Sequence, residues 1–114
     1  MSQLSILVGF AAAGATLTLY QLGGGGALGD TLLSPSPNAV TPLLWTTANR
    51  KTYDTARETI DFYSGTVIEG RERFEEAGER LYQLVRDVAS GSPTRTETLK
   101  YQDPAQVYLL DAPF

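Results

Sequence analysis

The chain has 114 residues, of which 42% are hydrophobic and 19% are charged, and its formal net charge is −4. This size and composition predict one globular domain, residues 1–114, with a single hydrophobic core. The negative charge argues against binding to nucleic acid, whose phosphates require a basic surface. The sequence contains no cysteine and no histidine, which excludes disulfides, thiolate or imidazole metal ligands, and Ser-His-Asp or Cys-His catalytic groups within these residues.

Charged side chains are unevenly distributed along the sequence. Asp30 is the only one before Arg50, and the other 12 acidic and all 9 basic residues follow. Either the first half forms the centre of the sheet and the core, or part of its surface contacts another domain or subunit, because the centres of interfaces are depleted of charge. Residues 4–20 are apolar but are interrupted by threonines and preceded by no basic residue. We therefore expect neither a signal peptide nor a membrane span, and a cytoplasmic location.

The first half of the chain predicts a helix and two strands. Ser2 can cap a helix over residues 3–13 that ends at Gly14, and because this helix is apolar nearly all round we expect it to be buried. Alternating leucine and threonine predict a strand over residues 15–20, and residues 42–47 predict a second one. A long Gly-rich and Ser-Pro-containing loop separates the two strands.

The second half begins with a helix over residues 50–58 that Asn49 can cap. A short extended piece over residues 60–62 precedes a turn at Ser64 and Gly65, and residues 66–68 predict another short strand.

The clearest predicted element is a helix over residues 71–89. Its apolar stripe consists of Phe74, Ala77, Leu81, Leu84, Val85 and Val88. The ion pairs expected on its exposed face join Arg71 to Glu75 and Glu76 to Arg80. Gly91 and Pro93 end the helix, and residues 105–110 predict a final strand.

Strands that alternate with helices predict an α/β fold, namely a small three-layer Rossmann-like domain with a mainly parallel sheet and flanking helices. Ligands of such sheets bind at the carboxyl ends of the strands, where the Gly-rich loop and Asn49 are expected. Gly24, Gly26 and Gly29 match Gly-x-Gly-x-x-Gly, but the following Ser-Pro stretch disfavours the helix that a dinucleotide site requires. A flexible loop is favoured, and a nucleotide-binding domain stays a third hypothesis.

Two polar positions have both a structural and a functional interpretation. Asn49 is either a helix cap or a ligand contact, and Arg50 and Lys51 either hold a carboxylate or form a solvated pair, which is favoured. Asp61 lies between two apolar residues. It is either a catalytic carboxylate or metal ligand, or an acceptor for backbone amides of the following turn.

Several short segments occur in a characteristic order. Residues 60–65 read Ile-Asp-Phe-Tyr-Ser-Gly, and Pro42 and Asn49 are separated by six residues. The other segments are residues 11–15, 67–70, 75–79 and 88–91, together with Thr94. This order resembles the C-terminal domain of the altronate/galactarate dehydratase family of sugar-acid dehydratases, which includes sulfolactate sulfo-lyase large subunits. The family's motifs are Asp-Phe-Asn-Ala-Gly and Pro-x-x-Lys-x-x-x-Asn.

The resemblance implies a lyase that removes water from an aldonic or aldaric acid to give a 2-keto-3-deoxy acid. It implies a divalent metal, typically iron(II), whose ligands lie mainly on a preceding domain or larger subunit, so that no cofactor is held by this chain alone. The residues then expected to face the shared cleft are Gly25, Gly26, Asn49 and Asp61. Asn49 would bond a substrate hydroxyl or carboxylate, the glycines would offer backbone N–H groups, and Asp61 would organise the Ser64–Gly65 turn.

Three departures from the family pattern weaken the prediction of catalysis. The family's loop reads Thr-Gly-Arg-Gly, but residues 23–26 contain no arginine. Trp45 stands at the position of the lysine in the family's Pro-x-x-Lys-x-x-x-Asn motif. Tyr63 stands at the position of the asparagine in Asp-Phe-Asn-Ala-Gly. The alternative is therefore a noncatalytic relative that forms homo-oligomers or binds a small acid.

Overall fold

A computed structural model describes residues 3–23 and 40–99, and it describes the exposure of side chains from residue 6 onward. The elements in these ranges are α1 Gln3–Ala12, β1 Thr18–Leu22, β2 Leu43–Thr47, α2 Arg50–Thr55, β3 Phe62–Tyr63, α3 Gly65–Ile68, α4 Phe74–Ala89 and α5 Arg95–Thr98. The predicted loop beyond Gly23 and the predicted strand over residues 105–110 lie outside the described residues.

The three strands form one parallel sheet in the order β1-β2-β3. β2 is central and buried over its whole length, because strands lie on both sides of it and its two faces are both covered. The prediction of mixed helices and strands with a parallel sheet is therefore confirmed. The three strands of the described residues lie within a few residues of predicted extended segments.

The main hydrophobic cluster covers one face of the sheet. Leu43 and Trp45 alternate along β2, so they project to the same side. They pack with Leu7 from α1 and with Ile60, which precedes β3. Leu44 projects to the opposite face, where it is completely buried.

α4 matches its predicted stripe with one exception. Ala77 and Val88 are buried, but Phe74, the first residue of the helix, is 77% exposed. The helix therefore begins three residues later than predicted. The backbone N–H of Arg73 donates to Glu76 Oε2 at 3.1 Å, which caps the start of the helix. At the other end Gly91 adopts φ +111°, as a C-terminal stop requires.

Other local predictions were wrong. Helix α3 replaces the strand predicted over residues 66–68, and α5 was not predicted. Arg71 pairs with Glu69 and not with Glu75, and Arg80 pairs with Glu72 and not with Glu76.

Helix α1 ends at Ala12, and Gly14, with φ +104°, follows as the predicted C-terminal stop, but the helix is not buried all round. Only one of its described side chains, Leu7, is buried, whereas Val8 is 43% and Phe10 49% exposed. No helix in the described ranges has both the length and the apolar character needed to cross a membrane.

Candidate functional site

The carboxyl ends of the three parallel strands meet at one edge of the sheet, and Thr47 ties them together. Its hydroxyl donates to the carbonyl of Leu22, the last residue of β1, at 2.9 Å. Its own carbonyl accepts a 2.9 Å bond from the backbone N–H of Ser64, just after β3. This is the edge at which parallel sheets bind ligands.

Asn49 lies at this edge, as predicted, and caps α2. Its Oδ1 accepts a 3.0 Å bond from the Thr52 N–H, and its own N–H donates to Thr47 Oγ1 at 3.1 Å. The side-chain Nδ2 makes no hydrogen bond to any described residue, so this amide can donate to a ligand. The cap and the ligand contact are therefore compatible roles.

Gly23, the last described residue before the Gly-rich loop, bonds to the helix that Asn49 caps. The hydroxyl of Thr52 donates to the carbonyl of Gly23 at 3.1 Å, which fixes the start of the Gly-rich loop against α2. Gly25 and Gly26, the two glycines predicted to contact substrate, lie outside the described residues.

Asp61 is not at the carboxyl edge. It precedes β3 and lies beside the middle of β2, where its Oδ2 accepts a 2.8 Å bond from the Trp45 N–H. Its Oδ1 accepts a 2.8 Å bond from the Arg95 N–H at the start of α5. Burial raises the pKa of Asp61, and these two amide bonds oppose that rise. The carboxylate thus joins β2 to α5, and Thr47, not Asp61, bonds the turn at Ser64.

A cleft of about 720 Å³ opens beyond the end of β3, formed by α2, α3 and α4. Sequence reasoning did not find it as a site. Its distinctive side chains are four arginines and two tyrosines, namely Arg50, Arg57, Arg71, Arg80, Tyr53 and Tyr63. The cleft therefore combines cationic groups with aromatic faces, which is suited to an anionic ligand.

Two carboxylates organise the arginines of this cleft. Glu72 accepts both Nε and Nη2 of Arg80, at 3.1 and 2.9 Å, and the Thr66 hydroxyl at 2.6 Å. These bonds lower the pKa of Glu72 to about 2. Glu69 accepts the Tyr63 hydroxyl at 2.5 Å and bonds to Arg71. The pKa of Glu69 is also lowered, chiefly by the bond from Tyr63.

Tyr63 forms the floor of the cleft. Its ring stacks on Tyr53 with centroids 4.5 Å apart, and it passes so close to Gly65 that a Cβ there would overlap the tyrosine hydroxyl oxygen. Two features of the sequence could have indicated this cleft: the Asp-Phe-Tyr-Ser-Gly segment at the end of a strand, and Arg50 at the start of the preceding helix. Residues of α4 also line the cleft, but they lie too far along the chain for the spacing of residues to predict this.

A metal ion does not fit the donors present here. Both carboxylate oxygens of Asp61 are taken by backbone amides. Among the described residues no three acidic side chains come together in a way that could hold a metal. Trp45 is 3% exposed and packs against Tyr20 with ring centroids 4.9 Å apart, so this position of β2 also offers no metal ligand.

Comparison with known proteins identifies the family. The family model described as D-galactarate/altronate dehydratase, C-terminal, matches residues 2–110, nearly the whole chain. No curated protein and no solved structure gives a significant match. The order of motifs from residue 11 onward had indicated the same family. The chain therefore belongs to the family of D-galactarate/altronate dehydratase C-terminal domains.

Proposed function

We propose that this chain is the C-terminal domain or small subunit of a dehydratase-like lyase acting on a sugar acid. A larger subunit or a preceding domain completes the active site and holds the divalent metal ion, of the iron(II) type. The family match over residues 2–110 carries this proposal. The three-layer Rossmann-like arrangement and the cytoplasmic location expected from the sequence belong to the same proposal.

Asn49 has the contacts that this role requires. It lies at the carboxyl edge of the sheet, its Oδ1 is used by the helix cap, and its Nδ2 is bonded to no described residue. In the assembled enzyme the Nδ2 group donates to a hydroxyl or carboxylate of the sugar acid. Gly25 and Gly26 offer backbone N–H groups to the same ligand, as the family resemblance implies.

Replacing Asn49 separates capping from substrate binding. Asn49→Ser keeps an oxygen that can accept from Thr52 but removes the amide donor, whereas Asn49→Ala removes both. We expect Asn49→Ala to lower the free energy of unfolding by about 1 kcal/mol and Asn49→Ser to change it little. Both variants should reduce formation of 2-keto-3-deoxy acid from D-galactarate or D-altronate by the complex of this chain with its larger subunit.

Gln83→Ser is the matched control, because it removes a side-chain amide at an exposed position of α4, away from the carboxyl edge of the sheet. It should leave the formation of keto acid unchanged. A complex that forms no keto acid from these or other sugar acids would contradict the proposal. Full activity in Asn49→Ser would contradict the substrate contact alone.

One observation favours the alternative of a noncatalytic relative. Trp45 is part of the hydrophobic core, so the position of the family's lysine presents no cation to a ligand. In that case the domain forms homo-oligomers or binds a small acid without transforming it. A stable homo-oligomer that binds sugar acids but forms no keto acid with any larger subunit would establish this second function.

A further inference from the structure

The part of the chain that leads to Asn49 contains no lysine and no arginine. None occurs in residues 1–49, so β1, β2 and the Gly-rich segment between them supply no cationic side chain. Asn49 lies at the carboxyl edge of the sheet, where its backbone N–H donates to Thr47 Oγ1 at 3.1 Å. A carboxylate of a ligand at this edge therefore meets no charged partner from the first half of the chain.

Arg50 follows Asn49 directly, but its guanidinium group is already paired. Its Nε donates to Asp54 Oδ2 at 3.1 Å, and its Nη1 lies 3.6 Å from Glu69 Oε1. The same group lies 5.8 Å from the centroid of the Tyr63 ring and lines the cleft beyond β3. The charge of Arg50 is thus balanced by two carboxylates of this chain.

Lys51 is the next cation, and the helix turns it away from the Gly-rich segment. Thr52, one residue later, faces that segment, because it is completely buried and its hydroxyl donates to the carbonyl of Gly23 at 3.1 Å. Successive residues of an α-helix point about 100° apart around its axis. Lys51 therefore projects to a different side of α2 from Thr52, and it is exposed.

The groups around Asn49 are neutral, and most of their donors are in use. The Thr47 hydroxyl donates to the carbonyl of Leu22 at 2.9 Å, and the Ser64 hydroxyl donates to the carbonyl of Thr47 at 3.3 Å. Asn49 is half-buried, and its Nδ2 bonds to no described residue. A neutral amide is suited to a neutral oxygen, whereas carboxylates are bound most strongly by charged donors.

We propose that Asn49 Nδ2 donates to a hydroxyl oxygen of the ligand, and that the cations that bind its carboxylates belong to the larger subunit or preceding domain. This inference rests on the proposed function, since it takes the ligand to be a sugar acid. The chain then recognises the hydroxyl-bearing carbons, and Asn49 is a residue that determines specificity for them.

Asn49→Asp distinguishes a hydroxyl contact from a carboxylate contact. Aspartate caps a helix as well as asparagine does, so the free energy of unfolding should change little. A ligand hydroxyl can donate to the new carboxylate, whereas a ligand carboxylate is repelled by it. The readout is the KM for D-galactarate or D-altronate in the complex of this chain with its larger subunit.

We expect KM to rise by less than about twofold in Asn49→Asp, because a hydrogen bond to a charged acceptor replaces the original one. It should rise by about 2- to 10-fold in Asn49→Ser, which loses the donor. A carboxylate contact predicts the reverse order, with a rise of about 100-fold or more in Asn49→Asp from the repulsion of like charges.

Two further variants serve as controls. Gln83→Glu makes the same change from amide to carboxylate at an exposed position of α4 and should leave KM unchanged. Lys51→Gln removes an exposed cation close to Asn49 in the sequence and should also leave KM unchanged, because it binds no carboxylate of the ligand. Denaturant unfolding establishes that each variant is folded.

A larger rise of KM in Asn49→Asp than in Asn49→Ser would overturn the inference. So would a rise of about tenfold in Lys51→Gln, the size expected when a charged hydrogen bond is lost. If the complex forms no keto acid, calorimetric titration of the same variants with D-galactarate decides between the two contacts. Absence of both turnover and binding would overturn the proposed function and this inference with it, whereas an active complex with the reverse order of variants would overturn the inference alone.

Discussion

Tyr63 connects the end of the sheet to the cleft, and its position depends on the absence of a side chain at Gly65. Its ring stacks on Tyr53, and its hydroxyl bonds to Glu69. A Cβ on residue 65 would overlap the hydroxyl oxygen and the adjoining ring carbon of the tyrosine. Such contacts require Tyr63 to move, which would disturb both the stacking and the bond to Glu69.

Gly65→Ala should therefore lower the free energy of unfolding by about 1–3 kcal/mol, the usual cost of overpacking. Gly78→Ala is the matched control, because Gly78 is an exposed position of α4 where a Cβ meets nothing within 4 Å. That control should stabilise the chain by about 0.5–1 kcal/mol through helix propensity. Chemical denaturation measures both changes, and an unaffected Gly65→Ala would show that Tyr63 is not fixed as described.

Asp61 is the other residue on which several elements depend. Asp61→Ala would leave two backbone amides, those of Trp45 and Arg95, without their acceptor. We expect a loss of about 2–4 kcal/mol in the free energy of unfolding, because bonds to a charged acceptor are stronger than neutral ones. Asp87→Ala, at an exposed position of α4, should change it by less than about 0.5 kcal/mol. An unchanged melting temperature in Asp61→Ala would contradict this structural role.

At the scale of elements, the sequence predicted the helix and the helix cap that depend on interactions between residues close together in the chain. Helix α4 was predicted because its apolar stripe repeats over several turns, and the capping role of Asn49 follows from its position before Arg50. The Thr-Val-Ile run at residues 66–68 suggested a strand from its β-branched residues, but a run this short does not distinguish strand from helix.

The rest of the candidate site could not be predicted because its contacts are long-range. Asp61 bonds to Arg95, 34 residues away, and Arg80 donates to the carbonyl of Tyr63, 17 residues away. No spacing rule connects such positions. The arginine cleft therefore appears only when α2, α3 and α4 are placed around the end of β3.

Glu72, in the segment after α3, accepts hydrogen bonds from Arg80 of α4. The lowered pKa of Glu72 makes the stability that this link contributes dependent on pH. Its pKa falls from 4.5 to about 2 in the folded chain, chiefly through the bond from Arg80 and then that from Thr66. A lowered carboxyl pKa means that the folded state binds the proton less tightly than the unfolded state. The stabilisation is therefore complete above about pH 4.5 and is lost as the pH falls towards 2.

We expect the original chain to be more stable than Glu72→Gln near neutral pH, with the difference shrinking between pH 4.5 and 2. Denaturant unfolding at a series of pH values measures this difference directly, since the other titrating groups are common to both chains. Glu79→Gln, at an exposed position of the same helix, should show a small difference from the original chain at all pH values. A gap between Glu72→Gln and the original chain that does not vary with pH would refute the link.

At the scale of the whole molecule, one part of the described surface carries exposed apolar groups without any charge. The ion pairs and the cleft belong to the second half of the chain, whereas α1 and β1 carry no charged side chain. Val8, Phe10 and Leu19 are each more than 40% exposed on these two elements. In the sheet of the described residues β1 pairs only with β2, so none of these residues pairs with its other edge.

This uncharged surface should make the isolated chain self-associate if it normally contacts a larger subunit. We expect the mass from light scattering to rise with concentration without reaching a fixed stoichiometry, and Phe10→Lys to lower it by placing a charge on the surface. Ile68→Lys makes the same change of charge at an exposed apolar residue of α3 and should leave the mass unchanged. A defined dimer would favour the noncatalytic alternative. A monomer at every concentration would contradict the assignment of α1 and β1 to an interface.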